Sequence, residues 1–256
     1  MLVDGQRYLI TGVLTPGSIA FAVAHEALEH GAEILVTGWG RSLSLTQRST
    51  RRLPKPVDVL ELDVTCEAQV ELVREQLAAR WGKLDGVLHA IAFAPPDVLG
   101  GNFLSAPFES VATAFQVSAF SLKTLTVGLA PLLRAAGRSS VVSLDFDASV
   151  AWPAYDWMGP CKAALESVTR YLARDLGPDG IRVNTVAAGP IRTMAAKAIP
   201  GFAQFEDAWS ARAPLGWDVT EPTPIARAAL FLLSPWATGI TGEILHVDGG
   251  FHAIGA

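Results

Sequence analysis

The stretch Tyr8-Leu9-Ile10-Thr11-Gly12-Val13-Leu14-Thr15-Pro16-Gly17-Ser18-Ile19-Ala20 joins a short apolar run to the start of an amphipathic one. It reads as a β-strand, a tight glycine-bearing turn and the opening of a helix. In that arrangement Gly12 lets the backbone approach a ligand, while the helix start at Ser18 and Ile19 presents free N–H groups and the positive end of a dipole. A pyrophosphate suits such a place. The turn is not G-x-G-x-x-G, and Ser18-Ile19 stands where a P-loop needs Lys-[Ser/Thr]. The less favoured reading is an ordinary strand–helix turn with Ser18 as N-cap.

Outward from this unit the same rhythm repeats. Short runs rich in Val, Ile and Leu occupy Tyr8–Thr11, Glu33–Thr37, Val57–Leu62, Gly86–Ala90, Ser139–Leu144, Ile181–Ala187 and Glu243–Val247. Helical patterns lie between them at 18–30, 67–81, 108–134, 155–176 and 222–234, with a helix start near Gly159, or a local kink, because of Pro160. Continuous apolar strands alternating with helices predict right-handed βαβ units in a Rossmann-like α/β fold, a doubly wound parallel sheet of about seven strands. No linker or repeat interrupts it, so residues 1–256 read as a single domain. Residues 190–217, with Pro190, Pro200 and Pro214, hold no strand. They read as a lid, or as a surface excursion with a short helix.

Composition narrows the function classes. The 256 residues are 50% hydrophobic and 18% charged, which excludes disorder, and a chain of this length can bury roughly 70% of its extended surface. No apolar run reaches the ~18 residues of a membrane span. The start has no signal-peptide pattern, and two cysteines without metal-ligand spacing suit a reducing cytoplasm. A net charge of −5 without a basic stripe argues against nucleic acid.

Two further places bear on a nucleotide. Asp63 closes the third strand, where a carboxylate can accept from an adenine amine or simply cap the next turn. The second strand ends in Thr37-Gly38-Trp39-Gly40-Arg41 without the acid that commonly holds the ribose of NAD. Trp39 can stack near adenine, and Arg41 leaves NADP(H) open. The densest constellation is Tyr155-Asp156-Trp157-Met158-Gly159-Pro160-Cys161-Lys162. In a helix, residues seven apart share a face, and a phenol near a cation can donate to a developing oxyanion. Such a pair also arises by chance.

Taken together, these motifs resemble the short-chain dehydrogenase/reductase superfamily and, within it, the NADH-dependent enoyl-acyl-carrier-protein reductase branch. Tyr155 and Lys162 form Tyr-x6-Lys, whereas ordinary members have Tyr-x3-Lys, which is absent. The loop Gly12-x5-Ser18-Ile19-Ala20, Leu62-Asp63-Val64, His89-Ala90-Ile91-Ala92-Phe93-Ala94-Pro95, Val186-Ala187-Ala188-Gly189-Pro190-Ile191-Arg192-Thr193 and Val247-Asp248-Gly249-Gly250 match in family order. Asp145-Phe146-Asp147 and Pro153-Ala154-Tyr155-Asp156-Trp157-Met158 resemble most the actinobacterial form, the mycobacterial one included. Gly40 departs from an acid common in that form, and the segment Ile199–Trp209 is shorter.

The resemblance implies a fatty-acid-biosynthetic, NAD(H)-dependent oxidoreductase of trans-2-enoyl thioesters, cytoplasmic and homotetrameric, with acyl-carrier-protein-linked or coenzyme-A-linked substrates and no metal. It implies Tyr155 as the hydrogen-bond donor, Lys162 on the nicotinamide ribose and Phe146 shaping the pocket beside it. It places Gly12, Ser18 and Ile19 at the pyrophosphate, Asp63 and Val64 at the adenine, Ile91 and Ala92 near the central ribose, and Ile191 and Thr193 at the nicotinamide and phosphates. Met158, Ala195, Ala196, Ile199, Phe202 and Phe205 suit an acyl chain; several of them also read as plain core. A nicotinamide-binding regulatory or scaffold protein is an alternative that the presence of Tyr155 disfavours. A β-ketoacyl or ketone reductase is a second, disfavoured by the missing Tyr-x3-Lys and Asn-Ala-Gly.

Overall fold

Strand β1 (Arg7–Ile10) of the computed structural model, which describes residues 2–255, is the third strand across a seven-stranded parallel sheet. Its companions are β2 (Glu33–Gly38), β3 (Val59–Glu61), β4 (Gly86–His89), β5 (Ser139–Asp145), β6 (Ile181–Ala188) and β7 (Ile244–Val247), in the spatial order β3-β2-β1-β4-β5-β6-β7. Each expected strand is present. The alternation of side chains along a strand explains why the runs are continuously apolar. Tyr8, Ile10, Ile34, Val36, Leu88 and Val142 point to one layer, which helices α1 (Ile19–Glu29) and α8 (Thr223–Leu233) cover. Leu9, Leu35, Val87 and Val141 point to the other, under α3 (Glu67–Trp81), α5 (Ser121–Ala135) and α6 (Met158–Leu176). Both faces are buried, so neither needs polar residues.

The strand order reverses between β1 and β4, and that crevice, beyond the carboxyl ends of the strands, is where open α/β sheets take ligands. Gly12 makes the crevice possible. Its φ is +82°, and a Cβ there would lie 2.0 Å from the carbonyl oxygen of Ala90, which follows β4. A side chain at position 12 would push the two loops apart.

Two helix readings differ from the structure, and a third is met at a cost to the argument built on it. Helix α2 (Leu43–Thr50) carries Ser and Thr rather than an apolar stripe, so no periodicity announces it. Tertiary bonds hold it instead: the Ser49 hydroxyl donates to the carbonyl of Leu14, bracing the Gly12–Ser18 turn from behind. The single helix expected over 108–134 is α4 (Phe108–Phe115), a π-helical turn at Gln116–Phe120 and then α5. The extra residue of the π turn directs Ser118 at the loop after β4, where its hydroxyl donates to Phe93 O and accepts from Phe93 N. Third, α6 begins at Met158, next to the start expected near Gly159, with Pro160 harmlessly in the first turn. Tyr155 therefore precedes the helix, and the shared-face argument for Tyr155 and Lys162 does not apply; a turn before α6 sets Tyr155 on the cavity that Lys162 also lines.

Candidate active site

Lys162 is fixed at the carboxyl end of β5. Its ammonium donates to the carbonyl of Leu144 at 2.9 Å and lies 3.6 Å from Oδ1 of Asp145. Both side chains are buried. Neither Asp145 oxygen has a hydrogen-bond partner among the described residues. Burial lifts the Asp145 carboxyl to about 7, with the Lys162 charge pulling the other way. Behind the pair, His89 is fully buried with Nε2 2.8 Å from the Ser121 hydroxyl, which itself donates to Val117 O. The imidazole is thus the donor in that bond. Burial, reinforced by the Lys162 charge, lowers its pKa to about 3, so it stays neutral.

Tyr155 lies in the turn before α6, between Ala154 and Asp156, whose φ angles of 58° and 42° are positive. The residue is 7% exposed, and burial raises its phenol well above the usual range, with the Asp145 charge adding to the effect. A phenol held protonated is a donor. Its hydroxyl makes no hydrogen bond among the described residues, and Tyr155, Lys162, Asp145 and Phe146 all line one cavity of about 480 Å³. That volume suits a small-molecule site.

One end of the cavity is polar in its backbone. Gly12, Ser18, Ile19 and Ala20 line it at the start of α1. The Ser18 hydroxyl caps the helix through Phe21 N, and the first helical turn contains no acidic residue. Ile19 and Ala20 carry N–H groups that helix geometry leaves without an intrahelical acceptor, so the residues present fit an anionic pyrophosphate. Ile91, Ala92, Ile191 and Thr193 line the same cavity. With the Lys162 ammonium beyond them, these groups fit a dinucleotide lying along the strand ends.

The other end is apolar. Met158, Ala195, Ala196, Ile199, Phe202 and Phe205 all line it. Helix α7 (Ala203–Arg212), within the strandless 190–217 segment, supplies Phe205 and Trp209 to an aromatic cluster with Phe146, Trp152 and Phe251. A bidentate ion pair from Arg192 to Glu206, 2.6 Å in both branches, ties α7 to the chain after β6.

Three expected nucleotide residues are not among the cavity's lining. Trp39 is 47% exposed at the end of β2. The Asp63 carboxylate accepts from the backbone and hydroxyl of Thr65, the turn-capping role that the sequence left open, and Val64 is buried. Conversely, Asp145, Leu144, Leu99 and Ala94 line the cavity without having been singled out as site residues. The signal for Asp145 was available: an acid ending an otherwise apolar strand.

A family model for enoyl-(acyl carrier protein) reductase matches residues 12–252. The chain is 43% identical, over 97% of each chain, to an enoyl-(acyl-carrier-protein) reductase (NADH) of Mycolicibacterium smegmatis. It is 42% identical to that of Mycobacterium avium over 97% of each chain, and 37% identical to that of a Synechocystis strain over 98% of each.

Proposed function

The chain belongs to the enoyl-(acyl carrier protein) reductase family, and we propose that it reduces the double bond of trans-2-enoyl thioesters with NADH, as a step of fatty-acid biosynthesis. The observation that carries this is the convergence, around one cavity, of a protonated phenol, a buried ammonium and an apolar wall. Bound NADH supplies the hydride. Tyr155 donates a hydrogen bond to the thioester oxygen, where charge accumulates as the β-carbon is reduced, an interaction strongest in the transition state. Lys162, anchored by Leu144 O and lying beside Asp145, presents its two other N–H groups to the nicotinamide ribose. Phe146 excludes water beside the reacting carbon. Gly12, Ser18 and Ile19 hold the pyrophosphate, Ile191 and Thr193 flank the nicotinamide side, Ile91 and Ala92 the central ribose, and Asp63, Val64 and Trp39 serve the adenine end.

Residues 190–217 are the lid, and Met158, Ala195, Ala196, Ile199 and Phe202 contact the acyl chain. The short lid favours medium-to-long chains over very long ones. The substrate arrives on acyl carrier protein, in the cytoplasm; no described helix is long and apolar enough to cross a membrane. Exposed Leu104, Phe108, Leu215 and Trp236 supply apolar surface for a homotetramer. The test is oxidation of NADH and, separately, NADPH with butenoyl, octenoyl, dodecenoyl and hexadecenoyl thioesters on both carriers. Turnover peaking in the middle of the series with NADH supports the reading. Nucleotide binding without oxidation by any thioester points instead to a non-catalytic role.

A further inference from the structure

Among the described residues only two non-glycine positions have positive φ, Ala154 and Asp156, and they flank Tyr155 on either side. Backbone of that kind persists only where its surroundings over-determine it. The surroundings here are one loop. Gly100 N donates to Ala154 O at 3.0 Å, and Trp157 N donates to Val98 O at 3.2 Å. The Trp157 indole donates to Phe103 O, and the two rings stack with centroids 4.9 Å apart. At the centre, a single oxygen of Asp156, Oδ2, accepts from two successive amides, Gly101 N at 2.6 Å and Asn102 N at 2.9 Å. Gly100 and Gly101, with φ of 76° and 97°, give the loop the shape that aims both amides at one acceptor.

We infer that Asp156 is a positioning residue for Tyr155: its carboxylate clamps the strained turn to the 98–103 loop and so fixes where the phenol stands in the cavity. The inference rests on the proposed role of Tyr155 and adds a residue that acts through it. Asp156 itself does not line the cavity, so it acts without touching substrate. The clamp also reaches the acyl end. Leu99 lines the cavity, and Gly100 packs so closely on Pro200 of the lid segment that a Cβ there would come within 2.8 Å. One carboxylate thereby sets the phenol relative to the wall on which the acyl chain lies.

The test separates acceptor from backbone. Asp156→Asn keeps an acceptor oxygen and tolerates positive φ; Asp156→Gly keeps the backbone and loses the acceptor. A small displacement of a reacting group costs up to about a hundredfold in rate, so D156G should lower kcat roughly tenfold to a hundredfold while D156N stays within about threefold of wild type. The NADH Kd, followed by nucleotide fluorescence, should stay within about twofold in both variants, because Asp156 does not line the cavity. Fluorotyrosine labelling provides a readout that needs no turnover. The chain has three tyrosines, Tyr8, Tyr155 and Tyr171, and the Tyr155 resonance is assigned by its loss in Tyr155→Phe. D156G should shift or broaden that resonance alone, and D156N should restore it. An unmoved Tyr155 resonance in D156G, or D156N as impaired as D156G, overturns the inference. A moved resonance in a protein whose wild type reduces no enoyl thioester leaves the clamp standing and removes the proposed reaction. Should D156G not fold, Asp156→Ser, whose hydroxyl is too short to reach both amides, makes the same comparison.

Discussion

The ring of Phe146 meets that of Tyr155 edge-on, with centroids 5.3 Å apart and planes at 62°. The same ring also touches Trp152, Phe205 and Trp209, at 5.0, 5.5 and 5.6 Å. One side chain at the end of β5 thus links the turn that carries the phenol to helix α7. Phe146→Ala should open that hub. Truncating a packed phenylalanine costs about 3 kcal/mol at the lower end, appropriate for a ring that is only partly buried. Urea unfolding measures the loss, and turnover should fall more than NADH affinity because α7 loses its seat.

Tyr155→Phe tests the phenol apart from the ring. The edge contact to Phe146 survives and only the O–H is removed. Loss of one preorganised oxyanion donor costs about 10²–10³ in kcat, while NADH binding should stay within about twofold because the variant leaves the residues at the start of α1 unchanged. Wild-type turnover in this variant would take the donor role away from Tyr155.

Gly12→Ala tests the crevice. The methyl would overlap the Ala90 carbonyl and force an unfavourable φ. The conformational term is about 1–2 kcal/mol, and overpacking against backbone adds about 1–3 kcal/mol. Stability should drop by about 3 kcal/mol, read by urea unfolding. Fluorescence titration should show that NADH affinity is lost with it, since the Gly12 and Ala90 loops frame the pyrophosphate place.

The seven strands were legible because a sheet covered on both faces writes itself as uninterrupted Val, Ile and Leu, and Tyr8 to Ile10 is such a run. Lys162 was legible by motif, and its distance from Tyr155 was not, because the turn at Ala154 and Asp156 has no helical period to count. Helix α2 escaped for a similar reason: its buried residues Thr46, Ser49 and Thr50 are polar, and the tertiary bond from Ser49 to Leu14 O, rather than an apolar stripe, anchors it. Asp145 was hidden in a stretch quoted for its neighbour Phe146. Its importance comes from burial against Lys162, which only the crossing of β5 and α6 creates.

Asp145 and His89 bend the pH dependence of stability in opposite directions. The Asp145 carboxyl is raised to about 7 in the folded protein, chiefly by burial. Its folded form holds a proton that the unfolded chain has released, so its contribution is full below the ordinary carboxylate range and is lost as pH rises through about 7. His89 is lowered to about 3 by burial. Its contribution is full above the ordinary imidazole range, about 6.5, and is lost as pH falls toward about 3. Between about pH 4 and pH 6.5 the two slopes oppose each other. Asp145→Asn removes only the first, because the amide has no proton to lose. The variant should therefore lose thermal stability on acidification more steeply than wild type across that window, with the two curves parallel above about pH 8. Tm measured at half-unit pH intervals reads the difference. Parallel curves throughout would mean that Asp145 is ionised in the folded protein across the whole range, with Lys162 rather than burial setting its charge.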